Sequence, residues 1–449
     1  MFGTEKKVGN VPIGLLYAAA VLEKDYRVEV LDCETMDFGD SREVGKMGLT
    51  DAMLASYPKY AKIMGDENHP IWEEVTEDIL GRGADVIGFT AQTATMSSVK
   101  YICRSLTERT DIPIMLGGPH PTALPFQSLE ETGARAVVIG EGEATVLELV
   151  PALLEGSNLS EVKGIAYADG SSYSMGEPRE RIQDLDALPF PARHLLDASC
   201  YKTEAFGYIT SARGCPFDCV ICASKEIWGR MTRFRSVDNV LNEIEEVQLT
   251  YGTEVFRFAD DTFTLDRERV LRFCRKLKER GLRISFRCGS RADGVDGEMV
   301  RALEGSGCNE MSFGVESGSQ RILDVIGKKQ TVERARETIE LVKEGGIKVI
   351  AFFILGHPTE TLWDVGTTIN LIEEIDAYRT VVNLMTPLPG TALFEGQSME
   401  WWKYNFQGKS VKSVSSLSEK KLNEIYESIS AWVLKKNMGE EADPPRFDS

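Results

Sequence analysis

Cys215, Cys219 and Cys222 lie within the run Cys215-Pro216-Phe217-Asp218-Cys219-Val220-Ile221-Cys222. As thiolates, three sulfurs at C-x3-C-x2-C spacing can converge on one inorganic centre and suit a soft metal or an iron–sulfur cluster. On a four-iron cluster, three Cys ligands leave one iron open to an external ligand. Structural zinc would close a four-ligand shell with a second C-x2-C pair, and an electron-carrying ferredoxin would need a fourth nearby Cys. The other cysteines, Cys33, Cys103, Cys200, Cys274, Cys288 and Cys308, are scattered singly. Nine cysteines in 449 residues are also too sparse, and odd in number, for a disulfide framework.

The cysteines follow the first of six strand candidates: Gly207 to Ala212, Glu254 to Ala259, Ile284 to Cys288, Glu310 to Val315, Lys348 to Leu355 and Thr380 to Met385. Helical periodicity separates them at Val237 to Gln248, Arg267 to Glu279, Gly297 to Glu304, Thr331 to Glu344 and Glu360 to Ile375. Six β-α repeats predict a barrel or part of one, with chemistry at the carboxyl ends of the strands. Those ends carry the cysteine loop, Asp260 and Asp261, Arg287 and Arg291, Glu316 and Ser317, Gly356 and His357, and Thr386-Pro387. Any one of these polar residues is ordinarily a helix cap or a turn; polar groups after all six strands point to a site.

The first half of the chain also alternates strand and helix. Arg27 to Asp32 (RVEVLD), Asp85 to Thr90, Ile112 to Leu116 and Ala136 to Ile139 read as strands, and Gly14 to Leu22, Ser97 to Glu108 and Glu143 to Leu154 as helices. This pattern predicts an open parallel sheet that binds ligands outside its strand ends. Those ends carry Thr90, Thr93, Gly117, Gly118, His120, Gly140 and Glu141. Residues 1 to 11 are too polar to supply an opening strand. Residues 34 to 84 form a Met-rich, acidic connection with helices expected near Asp51 to Ile63 and Trp72 to Leu80. The expected units are residues 1–155, a linker over 156–205 with a hairpin-like turn at Ala168 to Ser172, a barrel unit over 206–395 and a helical tail over 396–449. That tail holds Trp401, Trp402 and Tyr404 and a helix from Glu419 to Lys435.

Lys and Arg number 51 against 70 Asp and Glu, a net charge of −19 that opposes attraction to a polyanion and disfavours nucleic acid as a partner. The short basic strip from Lys225 to Arg235, with Arg230 and Arg233, reads as a solvated face or a phosphate contact. No continuous apolar run approaches a membrane span, and the first residues lack a secretory apolar region. The expected location is a reducing cytoplasm, which suits free thiols.

With these elements in place, the chain resembles the radical S-adenosylmethionine (SAM) superfamily, in the branch with an N-terminal cobalamin (B12)-binding-type domain. The resemblance covers residues 10 to 400. It rests on Arg213-Gly214-Cys215 with the cysteine spacing, Phe258-Ala259-Asp260-Asp261-Thr262-Phe263, Gly314-Val315-Glu316-Ser317-Gly318 and Thr386-Pro387-Leu388-Pro389-Gly390-Thr391. In the first domain it rests on Pro12 to Leu16, Gly117-Gly118-Pro119-His120 and Ile139-Gly140-Glu141-Gly142-Glu143. The implied fold is α/β: a Rossmann-like open parallel sheet, then a partial (β/α)6 radical SAM barrel, then a short helical C-terminal region.

The resemblance implies that Cys215, Cys219 and Cys222 ligate a [4Fe-4S] cluster whose free iron is chelated by S-adenosylmethionine. Asp260 would accept from the methionine ammonium, Arg291 would pair with its carboxylate, Glu316 and Ser317 would face the ribose or amino group, and Ile354 and Gly356 would lie along the adenine. Cobalamin would be met by Thr90, Thr93, Gly117, Gly118, His120, Gly140 and Glu141. Ile221 stands where the family often has an aromatic residue, and the chain contains no D-x-H-x-x-G motif, which supplies a histidine ligand to cobalt in other cobalamin proteins.

The implied function is cobalamin-dependent methylation of an unactivated carbon in a small molecule, lipid or peptide, initiated by a 5′-deoxyadenosyl radical and fed by an external one-electron donor. Two alternatives remain open on the sequence. One is a radical cyclase, dehydratase or carbon–carbon bond-forming enzyme without methyl transfer; the other is an iron–sulfur redox or binding module.

Overall fold

In the computed structural model, residues 8–36, 63–394 and 414–447 are described. The expected helix near Asp51 to Ile63 and the aromatic residues Trp401, Trp402 and Tyr404 lie outside the described residues, apart from Ile63 itself.

The first sheet has the order β1-β2-β3-β4-β5, formed by Ile87–Thr90, Ile114–Gly117, Ala136–Val138, Ile165–Asp169 and Ser172–Met175. β1, β2 and β3 are parallel, as the βαβ alternation requires. β4 and β5 are an antiparallel hairpin added to the edge of β3. The turn at Ala168 to Ser172 was expected within a linker; its strands instead extend this sheet, because Ile165 and Ala166 are fully buried and β4, already paired with β5 on one side, finds partners for its other edge along β3.

Arg27 to Asp32 does not form the expected strand. In a doubly wound sheet the second strand pairs with the first, and among the described residues no strand stands between this segment and β1. The alternating pattern is present without a ladder to join; Val28 packs on small apolar clusters and Val30 on one of these and on the edge of the main core.

The second sheet is wholly parallel, in the order β13-β12-β11-β10-β9-β6. Its strands are β6 Tyr208–Ile209, β9 Val255–Phe258, β10 Ser285–Ser290, β11 Cys308–Glu316, β12 Lys348–Leu355 and β13 Arg379–Leu384. Each strand lies beside its predecessor, which is the wall of a partial (β/α)6 barrel. Between β6 and β9, β7 Ala212–Arg213 pairs antiparallel with β8 Arg233–Phe234, an unexpected short ladder that brackets the cysteine loop.

Short polar residues start the helices where the periodicity begins. Ser236, Asp266, Asp296, Thr331 and Thr361 each accept a backbone N–H of the first turn, as does Ser418 before the helix Glu419–Asn437. Such a cap is worth about 1 kcal/mol.

The core lies between the second sheet and these helices. Phe256, Phe258, Phe263, Phe273 and Phe286 are all at most 3% exposed, and the rings of Phe258 and Phe273 meet edge to face at 5.4 Å. Because side chains alternate along a strand, burying Phe256 and Phe258 turns Val255 and Arg257 to the opposite, concave face.

Candidate active site

Gly214 introduces the cysteine loop with φ 97°, and a Cβ there would stand 2.6 Å from the Met231 carbonyl oxygen, so the turn demands glycine. The loop is tied down by Val220 N–H donating to the Ile326 carbonyl at 3.0 Å and by Cys222 N–H donating to the Cys219 carbonyl at 3.1 Å. Cys215 and Cys219 are partly buried, Cys222 is exposed, and none is in a disulfide. Burial raises the Cys219 pKa, opposed by Lys328 and Arg291. Burial also raises that of Cys222, to which Asp261 and the other two cysteines add, so the three thiols lie within electrostatic reach of one another. Three soft donors without a fourth fit a cluster with one unligated iron. Among the described residues no group of three potential ligands stands in the geometry of a single-ion site.

Asp260 is fully engaged in holding this loop. Its carboxylate accepts from Ser211 N–H at 2.7 Å, Ala212 N–H at 3.0 Å and Ser211 Oγ at 2.5 Å. Burial raises its pKa, against the nearby Arg269 charge and these donors. The expected ammonium acceptor is thus occupied with the backbone just before the cysteines. Its neighbour Asp261 is exposed and accepts from Ser224 Oγ at 2.5 Å, beside Cys222, whose sulfur accepts from Ser224 N–H at 3.4 Å.

Arg291 reaches the cysteine loop, with its guanidinium carbon 3.7 Å from the centre of the Phe217 ring. Its fork is already paired with Asp293 at 2.9 and 2.8 Å and donates to the Lys328 carbonyl at 2.7 Å. Glu316 adopts φ 70° and pairs with Lys328 Nζ at 2.8 Å. Both side chains lie over Gly314, where a Cβ would stand 2.4 Å from Glu316 Oε1 and 2.9 Å from Lys328 Nζ. Ser317 is fully buried and shares a hydrogen bond with Thr368 Oγ1 at 3.2 Å, so it faces the helix Leu362–Ile375.

Ile354 is half-buried and outside the helix-side core, whereas Gly356 is packed under the C-terminal helix: a Cβ there would stand 2.7 Å from Leu422 Cδ2. Gly356 N–H donates to buried Glu360 at 2.5 Å, and burial pushes that carboxyl up to about 8. Asp261 is where strand-end reasoning put it, whereas Phe217 and Lys328 are site residues that this reasoning did not single out. Lys328 carries no sequence signal, because a turn at Gly327 (φ 67°) brings it in.

At the first sheet, Thr90 ends β1 and Gly117 ends β2. Gly118 has φ 103°, and a Cβ would stand 2.7 Å from the Ala91 carbonyl oxygen and 2.9 Å from Thr90 Oγ1. His120 is 1% exposed, its Nδ1 is 3.3 Å from Thr93 Oγ1, and burial lowers its pKa to about 4. It is therefore a neutral, buried imidazole at pH 7, where a loop histidine would ordinarily be solvated. Gly140 (φ 73°) donates its N–H to Thr122 Oγ1 at 3.0 Å.

Glu141 turns away from a ligand role, because both oxygens are taken. They accept from Arg213 at 2.7 Å, Arg233 at 2.6 Å and Ile182 N–H at 3.1 Å. Arg213 also pairs with Glu143 at 2.5 Å and lies between the rings of Tyr17 and Trp228. Burial works against the Arg213 charge, but Glu143 and Glu141 more than offset it and hold its pKa above the ordinary value. Arg233 and Arg235, expected on a solvated or phosphate-binding strip, are buried in ion pairs with Glu141 and Glu243. Thus the arginine before the first cysteine is bonded to the loop after β3. Gly390, after β13, closes the same junction: a Cβ there would touch Ala123 and Ala223, each at 3.5 Å.

Comparison with known proteins matches this arrangement. Residues 209–372 match the Radical SAM superfamily model and residues 49–150 the B12 binding domain model. An uncharacterized methyltransferase of Pyrococcus horikoshii is 31% identical over 406 residues, covering 88% of this chain and 81% of that protein. An anaerobic magnesium-protoporphyrin IX monomethyl ester cyclase of Rubrivivax gelatinosus is 30% identical over 351 residues, 74% of this chain and 63% of the relative. Among solved structures, the radical S-adenosylmethionine methyltransferase TsrM from Kitasatospora setae, with cobalamin and a [4Fe-4S] cluster bound, superimposes with a TM-score of 0.65 at 19% identity. The alignment covers 86% of this chain and 72% of that one and shows a shared fold. The chain is a member of the radical S-adenosylmethionine superfamily, in the branch that carries a B12-binding domain before the radical domain.

Proposed function

We propose that the protein is a cobalamin-dependent radical SAM methyltransferase acting on an unactivated carbon, and that Cys215, Cys219 and Cys222 ligate its [4Fe-4S] cluster. The observation that carries this reading is the junction itself. The glycine-bearing strand ends of the first sheet and the cysteine loop are bonded through Arg213 to Glu141 and Glu143, so groups held by the two sheets would share one space. When bound, the cluster and S-adenosylmethionine supply a hydrogen-abstracting 5′-deoxyadenosyl radical, and cobalamin supplies the methyl group.

The chain's own residues position and shield. Asp260 holds the backbone at Ser211 and Ala212, and Lys328 and Arg291 favour the thiolate form of Cys219. Asp261, Lys328 and Glu316 are the charged groups offered to the methionyl end, with Ile354 beside the adenine. Thr90, Thr93, Gly117, Gly118 and Gly140 edge the cobalamin side, with His120 behind them. The electron comes from an external one-electron donor. The oxygen-sensitive cluster suits a reducing cytoplasm; among the described residues no helix is long and apolar enough to cross a membrane.

Anaerobically reconstituted protein with S-adenosylmethionine and a reductant is expected to form 5′-deoxyadenosine, and Cys219→Ala to abolish it. An unchanged yield in that variant would remove the radical assignment. A second reading, radical cyclisation without methyl transfer, is favoured by the similarity to a cyclase over 74% of this chain. Stoichiometric cobalamin in the visible spectrum of the purified protein supports methylation; protein that stays free of cobalamin after supplementation supports the second reading.

A further inference from the structure

The concave face of the second sheet carries a row of charges that the cluster site does not use. Tyr208, Arg257, Arg287, Glu310 and Lys348 are successive register partners across five strands. All five project from the face opposite the buried Phe256, Phe286, Met311 and Val349. Three cations thus share one carboxylate. Glu310 lies 3.6 Å from Arg287, Arg257 stacks at 5.5 Å on the Tyr208 ring, and Lys348 sits over Tyr378. Among the described residues Arg257 has no carboxylate partner.

Like charges directly opposite on a sheet are unfavourable. Burial and the neighbouring Arg257 charge both lower the Arg287 pKa. In a chain of net charge −19, two arginines in register, one with a carboxylate at 3.6 Å and one with none among the described residues, have no composition-wide explanation. Arg257 lies over Tyr208 and Arg287 toward Glu310, and two such forks on adjoining strands can close on an oxyanion between them.

Above this row the same face changes character. Gly289 and Ser312 put small residues on β10 and β11, while buried Ile350 and half-buried Phe352 on β12 lie outside the helix-side core and are the apolar residues of this face. Arg287 precedes Arg291 by four residues, so the row lies about 13 Å below the level of the cysteine loop at roughly 3.3 Å per residue.

We propose that this concave face is the substrate chamber and that it takes an amphiphile: a carboxylate or phosphate end on Arg257 and Arg287, an apolar body along Ile350 and Phe352, and the reacting carbon near the cysteine loop. The inference rests on the radical methyltransferase reading for its reaction, while its test needs no turnover. The reconstituted full chain is titrated calorimetrically at fixed ionic strength with decanoate, decyl phosphate and decanol, the tighter of the two anions naming the end group.

At least one anion is expected to bind tenfold or more tighter than decanol, and Arg257→Gln/Arg287→Gln to lose that advantage while binding decanol as before. Equal binding of decanol and both anions, or unchanged anion binding in a double variant with native cluster absorbance, would overturn the proposal. Should the double variant not fold, Glu310→Gln is the second test: removing the lone carboxylate is expected to tighten anion binding about threefold or more, and unchanged or weaker binding counts against the chamber. Anion binding by protein that stays free of cobalamin after supplementation would remove the methyltransferase reading and leave the chamber.

Discussion

At the junction of the two sheets, Arg213 and Arg233 share Glu141 and are buried with it, at most 8% exposed; on the concave face, Arg257 and Arg287 are paired in register, exposed, with one carboxylate 3.6 Å from Arg287. The side chain is the same, and the balance of charge differs with burial. A buried guanidinium must be matched by carboxylates and carbonyls, because an unmatched charge there costs several kcal/mol. Arg233 accordingly donates to Glu141, the Ile182 carbonyl and the Trp228 carbonyl. A half-solvated guanidinium can remain short of partners, and that shortfall is what a ligand can meet. Compensated arginines join the parts of the molecule, and under-compensated ones are free to recognise.

The largest test of this contrast is Glu141→Gln. It leaves two buried arginines short of charge and is expected to cost about 3–5 kcal/mol in guanidinium unfolding; a loss under about 1 kcal/mol would place Glu141 among ordinary surface pairs. An intermediate effect is expected at Glu360, which separates titrating from non-titrating burial. Its folded carboxyl is raised from 4.5 to about 8, so the folded state binds this proton more tightly than the unfolded chain. The stability it contributes is full below about pH 4.5 and is lost as pH rises to about 8. Replacing it as Glu360→Gln should flatten that part of the pH–stability profile, and a profile unchanged by the variant would contradict the assignment. The smallest effect is expected for Arg257→Gln, within about 0.5 kcal/mol of the parent; a loss comparable to that of Glu141→Gln would make the concave arginines structural too.

Much of this architecture is written in local pattern. The helices Arg267–Glu279 and Gly297–Glu304 and the strand Lys348–Leu355 fall where periodicity and caps put them. What escaped the pattern did so for one reason: it depends on partners distant along the chain. Arg27 to Asp32 has a strand's alternation but no adjacent strand, whereas Ile165–Met175 reads as an isolated hairpin until β3 offers its edge. Asp260 looks like a free strand-end carboxylate until Ser211 and Ala212 take its oxygens, and Glu141 until two arginines take both of its own.

By itself the sequence determined the cysteine spacing, the six β-α repeats and the order of the two sheets, because ligand spacing and periodicity are short-range properties of the chain. Only the tertiary structure decided which charges are spent and which remain available. Arg213, 72 residues from Glu141, is neutralised, while Arg257 and Arg287 meet across a register no local pattern specifies. Whether a charge is satisfied depends on what packs against it, and that is settled when the strands pair.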